Sequence, residues 1–150
     1  MKMFRILPLA AVLVFASCAT QARTALISAA GSGDVANLET LIQEDSQVDG
    51  VDNSGMTALH HAVESGNVAV VATLLNAGAD VNIADRQGRT PLHYAAESEN
   101  CDLAAMLLAA GADPLKADNQ GRRPLDLAVD GGSADMAATF NSSMDLPESS

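Results

Sequence analysis

Two cysteines and three histidines are the side chains of this 150-residue chain best suited to chemistry. Cys18 and Cys101 carry thiols, and His60, His61 and His93 carry imidazoles that in other settings move protons or bind metals. Their spacing speaks against both uses. His61 follows His60 directly, which points the two rings in different directions on a helix, and no Cys or further His stands at ligand spacing. A metal at His61 would have to borrow Glu64, three residues on. Gly31-Ser32-Gly33 invites comparison with a phosphate loop, and Ser, Asp and His are all present. Nothing, however, forms a nucleophile elbow or a paired acid and base. No catalytic residue, metal site or cofactor is therefore expected. A redox or metal-dependent activity through Cys101 or His61 stands as the alternative to a binding function.

The elements that would position these residues follow from a period. Thr24-Ala25-Leu26-Ile27, Thr57-Ala58-Leu59-His60, Thr90-Pro91-Leu92-His93 and Arg123-Pro124-Leu125-Asp126 recur at one constant interval along the chain. In the same register come Asp52-Asn53-Ser54-Gly55, Asp85-Arg86-Gln87-Gly88 and Asp118-Asn119-Gln120-Gly121. Asp bonds its own backbone two residues on, and Gly at the end of the turn takes a positive φ without steric cost. Leu74-Leu75-Asn76-Ala77-Gly78 and Leu107-Leu108-Ala109-Ala110-Gly111 each bring an apolar pair to a Gly that stops a helix. Gly31-Ser32-Gly33 falls by register in the turn between two helices, where Ser65-Gly66-Asn67 and Gly132-Ser133 recur, and Glu99 takes the Gly place in the third unit.

A unit reads as two helices. Thr90 is a good N-cap and Pro91 suits the first helical position, so a helix opens there with Leu92, Ala95 and Ala96 turned inward. A second helix over residues 103–109 has Leu103, Met106, Leu107 and Leu108 as its apolar stripe, as Val68, Val71, Leu74 and Leu75 form it one unit earlier. Cys101 shares its repeat position with Val35, Val68 and Ala134, which predicts a small hydrophobe in the core. Phe140 is expected to take the place of Leu75 and Leu108, plug the end of the stack and close the last helix.

Thr90-Pro91-Leu92-His93-Tyr94-Ala95 matches in full, and Thr57-Ala58-Leu59-His60-His61-Ala62 in all but Pro, the signature segment of the ankyrin repeat, which the chain resembles. The resemblance implies an all-α solenoid of about four helix-turn-helix units joined by β-turn or hairpin loops, near residues 23–51, 52–84, 85–117 and 118–141. It implies that His60 and His93 are structural, bonded to Thr57 and Thr90 and to neighbouring backbone. It also implies a concave groove that holds a protein partner. Its turn tips would be Asn53, Ser54 and Met56; Arg86, Gln87 and Arg89; and Asn119, Gln120 and Arg122. The first helices would add Glu64, Ser65, Glu97, Ser98 and Asp130, with His61 and Tyr94 beside the framework His. A repeat array of this kind binds and does not catalyse, so the expected role is a monomeric interaction module that protects, inhibits or scaffolds a partner such as a periplasmic enzyme.

Charge narrows the partner class. The chain holds 19 Asp and Glu against 8 Lys and Arg, a net of −11. Phosphate binding needs a basic face, so nucleic acid is not an expected partner. The segment 1–22 reads as a bacterial-type export signal: Lys2 and Arg5, an apolar run over 6–15, then small residues. The run is too short to span a bilayer comfortably. Val14-Phe15-Ala16-Ser17-Cys18 resembles a lipoprotein lipobox with Phe15 off pattern, and Thr20-Gln21-Ala22 is the competing cleavage ground; a retained anchor is the third outcome. Any membrane contact would then run through the signal or a lipid on Cys18, and the address would be the periplasm or the outer membrane. Residues 142–150 are polar, contain Pro147 and are expected to be a disordered tail.

Overall fold

The computed structural model describes residues 9–44 and 47–144. Eight helices follow one another there: α1 (Leu9–Ser32), α2 (Val35–Glu44), α3 (Ala58–Glu64), α4 (Val68–Asn76), α5 (Pro91–Glu97), α6 (Cys101–Ala109), α7 (Pro124–Asp130) and α8 (Ala134–Met144). Within each unit the first helix packs on the second. Between units the helices stack in two layers, α1, α3, α5 and α7 in one and α2, α4, α6 and α8 in the other. This is the all-α helix-turn-helix solenoid that the resemblance implies. The loops before α3, α5 and α7 project as fingers, and among the described residues the only bridge is the antiparallel pair Val51 and Thr57.

The caps explain why the inner helices start where they do. Thr57 and Thr90 hold extended backbone and each N–H donates 3.0 Å to the imidazole Nδ1 three residues later, on His60 and His93. In the fourth unit Arg123 and Asp126 replace Thr and His as a pair. The Arg123 N–H donates 3.0 Å to Asp126 Oδ2, and the guanidinium adds bonds of 2.9 and 2.8 Å to the same carboxylate. Unit one departs from this scheme. No finger precedes Thr24, so α1 runs straight through it and Thr24 Oγ1 donates to Thr20 O at 2.9 Å. Thr24 is thus a mid-helix residue, yet Leu26, Ala29 and Ala30 are buried as Leu59, Ala62 and Val63 are.

Several expectations about the outer layer change. The buried face of α4 is Val70, Val71 and Leu74, and that of α6 is Leu103, Ala104 and Leu107. Val68 is 41% exposed, because it opens its helix at the edge of the core. Cys101 holds the same place and is half-buried at the core margin, with only a long 3.9 Å contact from Sγ to Glu99 O. Phe140 is fully buried as expected, but its register partners are Leu74 and Leu107. Helix α8 continues past it to Met144, so residues 142–144 are helix and not tail. Residues 145–150 lie outside the described residues, as do residues 1–8 of the expected export signal; the Cys18 side chain is likewise not described.

A close approach and a left-handed backbone make the turns sensitive to sequence. Fingers stack through Arg86 N–H to Ser54 O (3.0 Å) and Asn119 N–H to Gln87 O (2.9 Å), and a Cβ on Gly55 would come within 3.0 Å of Arg86 N. The α3–α4 turn is closed by Gly66 N–H to Val63 O and Asn67 N–H to Ala62 O, a Schellman arrangement that needs the left-handed region at Gly66 (φ 74°). Glu99 occupies that place before α6 with φ 54°, a strained conformation for a residue with a Cβ. Glu99→Gly is expected to stabilise the fold by about 1 kcal/mol in a denaturant titration. An unchanged or lower midpoint would show that the Glu99 side chain, which lies beside Gly131, offsets the strain.

Candidate functional site

The inner surface is built from the fingers and the inner helices, and one carboxylate anchors each finger. Asp52 Oδ1 accepts from Ser54 N–H (2.8 Å) and Met56 N–H (3.0 Å); Asp85 does so from Gln87 and Arg89, and Asp118 from Gln120 and Arg122, at the same distances. This leaves Oδ2 free to reach the inner helix. Asp52 Oδ2 takes His61 Nε2 at 2.8 Å, Asp85 Oδ2 takes the Tyr94 hydroxyl at 2.7 Å, and Asp118, facing Leu127 in that register, takes its own Arg122 at 3.2 Å. Burial raises these three carboxyls and the bonds outweigh it, so all three stay below the ordinary aspartate value.

His60 and His93 join one unit to the next. Nδ1 already accepts from the Thr N–H, so the proton sits on Nε2, which donates 3.1 Å to Arg89 O for His60 and to Arg122 O for His93. Both carbonyls directly precede the N-cap residue of the following inner helix. Burial drives both imidazoles below the usual histidine value, with the carbonyl bond acting the other way.

Tyr94 and Arg89 form the densest polar cluster on this surface. The Arg89 guanidinium lies 4.4 Å from the Tyr94 ring centroid and donates to Glu97, while His60 meets the same ring edge-on at 5.8 Å. The Arg89 side chain is only 12% exposed, and its Nε is buried without a partner. Burial opposes its charge, but Glu97 holds it above the ordinary arginine value. The Tyr94 hydroxyl is pushed up by burial and by Asp85.

The sequence-predicted groove residues accordingly fall into two sets. Asn53, Ser54, Arg86, Gln87, Asn119 and Gln120 are exposed along the fingertips, and Glu64, Ser65, Glu97, Ser98 and Asp130 are exposed at the ends of the inner helices. Met56, His61, Arg89, Tyr94 and Arg122 are half-buried. The last four are tied into internal bonds and brace the surface, and among the exposed set Ser65, Glu97, Ser98 and Asn119 also bond within the chain. Shallow cavities of about 310 Å³ by Met56, Arg86 and Tyr94, and 220 Å³ between Glu64, Arg89 and Glu97, join the two sets. His61 is bonded to Asp52 and not to Glu64, and among the described residues no three His, Cys, Asp or Glu side chains gather to hold a metal. The tie from finger Asp to helix position nine residues later was not read from the sequence; the recurrence of a donor there, His61 and Tyr94, is the signal that carries it.

A family model described as ankyrin repeats in three copies matches residues 6–85, more than half of the chain. The chain belongs to the ankyrin-repeat family. A second model, ankyrin repeats in many copies, matches residues 74–128. The ankyrin repeats so matched thus take in α1 and all three fingers, a fold that generally mediates protein–protein binding and is typically non-catalytic. No curated protein matches the chain.

The depressed histidines give this ankyrin stack a pH dependence. A neutral imidazole is favoured only in the folded state, so the contribution is intact above about 6.5 and is lost as pH falls from there toward the folded values. Denaturant midpoints should be level above about pH 7 and decline below about 6.5, by as much as ~1.4 kcal/mol per pH unit for each proton taken up on unfolding. In His93→Gln the slope should be roughly halved; a slope untouched by that change would remove the histidines as its cause.

Proposed function

We propose that this chain is a non-enzymatic interaction module of the bacterial cell envelope, exported by its segment 1–22, whose groove binds one partner protein to protect, inhibit or scaffold it. The observation that carries the reading is the division of labour on the inner surface. Eleven exposed polar side chains line fingertips and helix ends, of which Ser65, Glu97, Ser98 and Asn119 also bond within the chain, while Asp52, Asp85, Asp118, His60, His93, Tyr94 and Arg89 brace the surface beneath them. Such preorganisation lowers the entropy lost on binding, which is what a recognition surface requires. The chain acts as a monomer, and its acidic balance disfavours nucleic acid.

Export rests on the basic start, the apolar run over 6–15 and the small residues after it. No described helix is long and apolar enough to cross a membrane. Lipidation at Cys18 would put the module on the outer membrane, and cleavage after Ala22 would free it in the periplasm. The intact mass of the protein recovered from cell envelopes decides among these. A chain beginning at a lipid-modified Cys18 or at Arg23 supports export; one that begins at Met1 in the cytosolic fraction sinks it.

Groove binding is tested by affinity capture from the same envelopes with native chain and with Arg86→Glu, Gln120→Glu and Glu64→Lys combined. These positions are exposed, so the variant should melt as the native chain does while retaining its partner at least about tenfold less well. Equal recovery by both proteins would refute the groove. Arg89 and Tyr94 are poor choices for this purpose because removing either breaks the bracing network.

A further inference from the structure

The finger ladder has a vacant place at its first rung. Arg86 N–H donates to Ser54 O and Asn119 N–H to Gln87 O, each finger giving one bond to the finger before it. Asn53 is the register equivalent of Arg86 and Asn119, and its N–H has no acceptor among the described residues. The residue that would supply the carbonyl, by the same register, is Gln21. It lies inside α1, where its carbonyl belongs to the helix ladder. Because no finger precedes this one, a cavity of about 310 Å³ opens beside this edge, and Arg23, Thr24, Ile27, Val51 and Asn53 of its lining are kept whether the mature chain begins at Cys18 or at Arg23.

The cavity is unlike the polar spaces between the other fingers. Val51 is 41% exposed and Ile27 half-buried, which gives it apolar walls. Ile27 stands where His60 and His93 stand in later units, so no imidazole crosses this space to a carbonyl. Arg23 lies across Gly50 and its Nε is buried without a hydrogen-bond partner. The first rung therefore combines an open backbone donor, an aliphatic recess and an unmatched buried donor.

We infer that the edge at residues 51–53 docks an extended segment of the protein partner, which accepts the Asn53 N–H through a backbone carbonyl and places one aliphatic side chain against Ile27 and Val51. The argument is continuity: the segment takes the place that a preceding finger occupies in every later unit, with main-chain bonding supplying affinity and the recess supplying selectivity. The inference rests on the protein-binding reading above but uses only the Asn53 backbone N–H from the groove set, not the Arg86, Gln120 and Glu64 side chains that test the groove. A segment with basic flanks suits the net charge of −11.

Asn53→Pro isolates the donor. Asn53 is the second residue of the turn closed by Gly55 N–H to Asp52 O (3.0 Å), a position that favours Pro, so the N–H is removed with the turn retained. The probe is the capped heptapeptide Lys-Val-Thr-Val-Thr-Val-Lys, titrated into the nitrogen-15-labelled chain. The expected result is movement of the Asn53, Val51 and Ile27 amide signals, exchange of the Asn53 amide slowed at least about tenfold, and binding weakened about tenfold in Asn53→Pro with an unchanged melting curve. Thr24→Trp, which fills the recess while leaving the donor, should weaken binding as well. The inference is overturned if Asn53 does not respond at millimolar peptide or if changes are confined to Glu64, Arg86 and Glu97. It is also overturned if Asn53→Pro binds as well as the parent, or if the same signals move with protein concentration alone, which would make a second copy the occupant. A partner whose capture needs Arg86 and Gln120 but not the Asn53 N–H would leave the groove function standing and remove this edge.

Discussion

One bond at each of the two later junctions, Nε2–H of His60 to Arg89 O and of His93 to Arg122 O, sets the pitch on which the rest of the stack depends. Helices that meet through alanine and leucine can slide with little cost, because dispersion contacts are not directional. A hydrogen bond from a buried imidazole to a specified carbonyl is directional, and leaving it unmade strands two polar groups in the core. The same ring accepts the N–H of the Thr that caps its own helix. Helix start, finger position and unit spacing are thereby coupled through a single side chain.

The fingers obey a related constraint. Each Asp has two oxygens with separate duties: Oδ1 closes the turn, and Oδ2 takes a second donor. Where the helix offers a donor, His61 or Tyr94, finger and helix are joined across the surface. Where it offers Leu127, the carboxylate turns to Arg122 of its own finger, and the last unit is held by Arg123 and Asp126 instead. The inner surface is thus most strongly braced at its middle, around Asp85, Tyr94 and Arg89.

The sequence made the period, the caps and the exposed fingertips legible because each is a local pattern that returns at one constant interval. It was silent on how half-exposed polar residues divide between contact and support. Arg89 and Tyr94 read as partner anchors by position, and only their mutual stacking and bonds to Glu97 and Asp85 show that they are spent internally. Register also misplaces residues at helix edges. Val68 and Cys101 share an apolar column yet sit at a helix start, where one side of the residue faces solvent.

Unit one shows what a repeat loses when its finger is absent. Thr24 and Leu26 keep the register, and Leu26 keeps its burial, but Ile27 replaces the clamp histidine and α1 runs through the capping position. Packing therefore tolerates the change while the polar ladder does not continue. The hydrophobic layer ends in a helix that covers it, whereas the hydrogen-bond ladder ends in an open donor at Asn53. Two interactions that run in parallel through the interior of the array thus terminate differently at its first unit. A covered apolar layer needs no further partner, but an unmatched backbone N–H beside an aliphatic recess is a directional feature that a second chain can satisfy.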